Sequence, residues 1–235
     1  MNPSWTDTWN DLLARASSVV GLDPGVLWPA LAILVIVLAW APARRWGRTL
    51  VTIVHEAGHA AVGLMVGRRF LGFVVSRDLS GHAVTAGKST GPGRVATSWA
   101  GYPAPAVLGA VVVLLALNGW ASAVLLLGLV LLVVLLVMSR SVRTVLLVLL
   151  VAVLTGALWW WGGVWRAGVA SGVGLALIVG AWDSLRDVAV SRDPQQDHRT
   201  LAQLTRVPAG VWLASWFLVD AAATGVVVMT QRDLL

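Results

Sequence analysis

Between Thr97 and Trp161 the chain carries only two charged residues, Arg140 and Arg143. No water-soluble fold can hide so long an apolar tract. Lipid leaves a polypeptide two spanning solutions, the α-helix and the closed β-barrel. Here the apolar stretches are continuous rather than alternating, and each approaches the roughly 20 residues a helix needs to cross a bilayer core. The composition agrees, with 58% of residues hydrophobic and 12% charged, against about 25% charged in an ordinary soluble domain. Soluble globular and disordered chains are both excluded.

The sequence therefore predicts an all-α polytopic membrane protein with six to seven transmembrane helices. The spans read as about Val26–Ala41, Thr49–Val66, Thr97–Leu117, Ala121–Met138, Val142–Trp161, Val164–Val190 and Pro208–Met229. Trp28, Trp40, Trp46, Trp120, Trp159 to Trp161 and Trp165 fall where these spans meet the headgroups, as aromatic belts do. Residues 1–25 form a polar N-terminal segment without the basic stretch and cleavage site of a removable signal. Residues 26–229 form a single membrane domain with a β-like loop at 67–96 and a polar loop at 191–207, followed by a tail at 230–235. Within the first loop, Phe70–Val75 and His82–Ala86 read as two short strands about a polar turn, a β-hairpin-like insertion. Gly87-Lys88-Ser89 is no phosphate loop, because that motif needs a glycine where His82 stands.

The formal charge of +6 invites a nucleic-acid partner. The basic residues nevertheless sit in short clusters between apolar runs, which is the placement of topogenic arginines; no nucleic-acid partner is expected. If all seven spans cross, the side of the N-terminus holds twelve basic residues and the other five. That balance favours a cytoplasmic N-terminus, while the cluster Arg44, Arg45, Arg48 opposes it. There is no cysteine, so any metal must be held by histidine and carboxylate.

One constellation carries chemistry. The second span contains His55-Glu56-Ala57-Gly58-His59. Positions four apart lie on one helix face, so both imidazoles can reach one metal ion, and Glu56 stands where a general base can touch a water. Glu56 is the only glutamate in the chain, and an ionisable residue at mid-bilayer costs about 2.5–3.5 kcal/mol on insertion scales. A polar patch bonding to a neighbouring helix is the bland alternative. A zinc site of this type wants a third protein ligand. His82 and His198 lie in polar connections. Asp183 and Asp187 share one face of the sixth span, and Asp220 is buried in apolar sequence on the seventh. Two rival functions use the same residues: a proton- or metal-coupled transporter with His55, Glu56, His59 and Asp183 as a relay, or a catalytically silent scaffold with zinc as a structural pin. No pair of broken hydrophobic segments in two related halves supports the transporter.

These residues resemble a family. A His-Glu-x-x-His within a membrane helix is similar to the site-2-protease group of intramembrane zinc metalloproteases, peptidase family M50. Further segments resemble its M50B-like branch: the glycine-containing stretch Gly67–Gly87 with Ser80-Gly81-His82-Ala83-Val84-Thr85, then Ala100-Gly101-Tyr102-Pro103 with Gly109. Trp182-Asp183-Ser184-Leu185-Arg186-Asp187 resembles a late aromatic-Asp pattern, and Gln196-Asp197-His198 with Leu201, Thr205, Pro208 and Trp212 resembles the branch's tail. The likeness runs from about Arg48 to Trp216. It departs from the family in having no Asn-Pro…Asp-Gly motif, since the only asparagines are Asn2, Asn10 and Asn118. The resemblance implies zinc held by His55, His59 and Asp183, with Asp187 and then Asp197 as alternatives, and Glu56 as catalytic base. It implies a multi-pass enzyme of the bacterial plasma membrane that hydrolyses membrane-embedded protein or peptide substrates, with the strands at 70–86 offering an edge for an extended substrate.

Overall fold

The computed structural model describes residues 5–19, 28–75, 81–139 and 142–232. Ten α-helices and two strands follow one another among them: α1 (Trp5–Ala16), α2 (Trp28–Ala39), α3 (Ala41–Met65), β1 (Arg69–Val75), β2 (Gly81–Ala86), α4 (Pro92–Trp99), α5 (Ala104–Leu115), α6 (Ala121–Met138), α7 (Val142–Trp161), α8 (Trp165–Val190), α9 (Asp197–Thr205) and α10 (Ala209–Arg232). Proline opens α3, α4 and α5, where the first turn has no use for the missing N–H. The large apolar side chains left exposed on α6 and α7, such as Leu127, Leu131, Leu146 and Leu150, are what a surface in contact with lipid presents. The protein is an integral membrane protein.

Among the described residues, four helical stretches can by length and composition cross a bilayer: Ala104–Val137, Thr144–Trp161, Trp165–Val190 and Ala209–Thr230. A fifth is added if α2 and α3, bent by 99° against each other, count as one broken span. The count is below the six or seven read from sequence for two reasons. The stretches taken as first and second spans form that bent pair. Those taken as third and fourth run together from Ala104, with a wide turn at Ala116–Trp120 where Gly119 adopts a φ of 85° that a side chain would resist. The first part of the expected third span, from Thr97, instead belongs to the short helix α4 and the turn after it.

α8 is the spine. Its small residues let neighbouring backbones come close: a Cβ on Gly109 of α5 would lie 2.5 Å from the Gly174 carbonyl, and one on Gly174 2.7 Å from the Gly109 carbonyl. Gly172 sits likewise against Ala30 and Ile33 of α2, and Gly180 against Val51 of α3. β1 and β2 pair antiparallel from Arg69↔Ala86 to Val75↔Gly81, with an irregularity between Phe70 and Gly72; the polar turn expected at Ser76–Ser80 lies outside the described residues. Both strands pack beside α3, and β1 touches α6 and α7. α9 packs on α4 and α10, around a core of Leu185, Val188, Leu201 and Trp216.

Candidate metal centre

α3 presents His55 and His59 on one face, one turn apart, with ring centroids 4.6 Å apart and planes nearly perpendicular. Their Nε2 atoms are 3.0 Å from each other. A carboxylate oxygen completes the triangle: Oδ2 of Asp197 lies 3.4 Å from Nε2 of His55 and 3.2 Å from Nε2 of His59. Among the described residues these three form the one group of His, Asp or Glu side chains able to share a metal ion. Glu56 is buried on the same helix.

Asp183 is not in that group, contrary to the expected set of His55, His59 and Asp183. The reason is helix register. α3 and α8 run antiparallel and meet where Gly180 abuts Val51 and where Arg48 bonds Asp187 at 3.3 Å. Moving along α3 from Val51 to His55 corresponds to moving back along α8, away from Asp183. Asp187 is occupied by Arg48. Asp220 is buried in α10, its Oδ1 without a hydrogen-bond partner, and also lies outside the group. His198 is buried next to Asp197 and likewise lies outside the group. His82 falls on β2. The carboxylate at the histidines comes instead from the first residue of α9, which the polar loop folds back towards α3. Asp197 lies beyond the end of the α8 span and keeps some solvent contact, so it escapes the cost of an ionised group at mid-bilayer.

The support of the triangle comes from the segment between α4 and α5. The Nδ1–H of His59 donates to the Thr97 carbonyl at 2.6 Å, which fixes the tautomer and leaves Nε2 with its lone pair. Gly101 lies against both imidazoles: a Cβ there would fall on His59 Nε2 and come within 2.7 Å of His55 Cε1. Gly58 lets this segment approach α3, since a Cβ on it would be 2.7 Å from the Ala100 carbonyl. Tyr102 packs edge-on to His55 with centroids 4.6 Å apart. Sequence reasoning singles out Ala100-Gly101-Tyr102-Pro103 only as a resemblance. The signal of its role is a glycine beside an aromatic residue in an otherwise aliphatic run.

The electrostatics favour a cation at the centre. Burial raises the Asp197 carboxyl, but hydrogen bonds to His55 and His59 and their charge outweigh it and hold the group well below the usual carboxylate range. The position at the start of α9 adds the positive end of a helix dipole. Burial, and after it the charges of Asp197 and Glu56, push the Tyr102 hydroxyl well above its ordinary range. Without metal, protons on the imidazoles hold the two rings and the carboxylate at 3.0–3.4 Å; with both Nε2 lone pairs free, a metal cation would take the place of those protons. The contacts to Asp197, at 3.4 and 3.2 Å, approach the edge of about 3.3–3.4 Å expected of a tetrahedron with zinc–ligand bonds of about 2.0–2.1 Å, and the two imidazoles stand somewhat closer at 3.0 Å. The donor set fits a zinc ion.

No curated protein and no solved structure matches the chain. Residues 28–227 match the family described as Peptidase M50B-like, a stretch that contains His55, His59 and Asp197 alike, and the chain belongs to that family.

Proposed function

We propose that this protein is an intramembrane zinc metallopeptidase that hydrolyses peptide bonds of membrane-embedded substrates in a bacterial plasma membrane. The convergence of His55, His59 and Asp197 on one point, with the Nδ1 proton of His59 committed to a backbone carbonyl, is the observation that carries the reading. A zinc ion held by these three side chains would polarise a carbonyl as a Lewis acid and make a water acidic enough to lose its proton near neutral pH.

The rest of the chemistry falls to the chain. Glu56, adjacent to His55 on α3, accepts the proton of the attacking water and returns it to the nitrogen of the breaking peptide bond, so one carboxylate serves as base and then as acid. Asp197 would supply the anionic ligand beside the two imidazoles. Gly101 leaves room beside the imidazoles that any side chain would fill. A helical substrate hides its carbonyls in its own hydrogen bonds and must unwind to be cut; β1 and β2 beside α3 offer extended backbone on which it can be held.

The test uses protein reconstituted in vesicles with a single-span substrate. Cleavage should stop when a chelator strips the metal and return when zinc is added back. Cleavage that survives complete removal of metal would end the reading.

A further inference from the structure

We propose that Tyr102 and Gln196 are positioning residues that join the two halves of the metal centre, a role that rests on the metallopeptidase reading above. The two histidines belong to α3, whereas Asp197 belongs to α9, more than a hundred residues later, and the polar loop between α8 and α9 is largely exposed. Something must hold the first turn of α9 at a fixed distance from α3. Gln196 is the residue that caps α9, with extended backbone and its carbonyl receiving the first hydrogen bonds of the helix. Glutamine is not among the residues preferred there, which are Ser, Thr, Asp and Asn, and its side chain makes no capping bond. Its amide oxygen instead accepts a hydrogen bond from the Tyr102 hydroxyl at 2.9 Å.

Tyr102 is itself fixed from three directions. Its ring meets the edge of His55 at 4.6 Å and stacks on Trp216 of α10 at 4.4 Å. Trp216 is fully buried and donates its indole N–H to the Trp99 carbonyl at 3.0 Å, while Trp99 donates to Ser215 at 2.9 Å. The phenol is thus a rigid strut: one end rests on a metal-binding imidazole, the other on the residue next to the metal-binding carboxylate. It touches no reacting atom and acts through the ligands it places. Supports of this kind, when removed, typically cost metal sites 10–100-fold in affinity.

The experiment is a double-mutant cycle on the full-length protein in micelles, read by zinc affinity in chelator competition and by thermal melting without metal. Tyr102→Phe keeps the ring against His55 and Trp216 and removes only the hydroxyl; Gln196→Ala removes the acceptor and leaves the stack untouched. Each should weaken zinc by about tenfold, the double variant should be no weaker than either single one, and melting without metal should stay unchanged. Undiminished zinc affinity in either single variant, losses that multiply in the double variant, or a loss matched by a lowered melting point would overturn the proposal. Failure of the wild type to bind zinc would instead remove the metallopeptidase reading, which the wild-type titration alone reports.

Discussion

The Asp197 carboxylate stands 3.2 Å from Nε2 of His59, across the boundary between a membrane helix and a short helix outside the spans. On the proposed reading, this one contact moves the third ligand from the interior of α8 to the start of α9. Asp197→Asn should therefore abolish tight zinc binding, as should His55→Ala or His59→Ala, since two ligands make an inadequate site. Asp183→Asn should retain close to one zinc per chain. Metal analysis of the four purified variants decides it; zinc lost from the Asp183 variant and kept by the Asp197 variant would reverse the assignment.

Glu56→Gln should leave zinc content and melting intact, because no ligand is removed. Turnover should fall by about 10²–10⁴, the usual contribution of a general base. Single-turnover cleavage of a reconstituted substrate measures this, and wild-type rates in the variant would show that the proton goes elsewhere.

Gly101→Ala inserts one methyl group where the imidazoles already stand. Zinc affinity should drop by at least about a hundredfold, the upper range for disturbed support of a metal site, with little change in helix content. Circular dichroism beside a zinc titration separates the two effects. An alanine variant that binds zinc normally would mean that this segment can retreat from α3.

Gly109→Leu drives a side chain into the α5–α8 crossing, where the opposing atom is the Gly174 carbonyl rather than a movable side chain. Overpacking typically costs about 1–3 kcal/mol, and here the backbone must shift, so the upper end is expected. Gly210→Ala is the control: nothing lies within 4 Å of its added Cβ, and alanine suits a helix better than glycine. Unfolding midpoints in micelles should fall for the first and hold or rise for the second.

What could be read from the sequence was what depends on nearby residues. The spacing of His55 and His59 needs only one helix to bring the rings together, and helical boundaries such as Ala121–Met138 and Val142–Trp161 follow from unbroken apolar length. The choice among Asp183, Asp187, Asp197 and Asp220 needed the register of α3 against α8, which is set by Gly180 meeting Val51 and has no local signature. The carboxylate that meets the two histidines comes from outside the spans, where no apolar run marks it. The tail Gln196-Asp197-His198 did carry the hint, through its likeness to the family's own tail.

The dependence of the centre on Trp216 through Tyr102 has a consequence for synthesis. The histidines leave the ribosome early, whereas the carboxylate and its aromatic buttress are among the last parts of the membrane domain to be made. A chain cut short before α9 holds two histidines and no carboxylate, and one cut short before α10 lacks the Trp216 that backs Tyr102. On the proposed reading, any proteolytic capacity would thereby be withheld until insertion is nearly complete, and the nascent chain would pass its neighbours in the membrane unarmed.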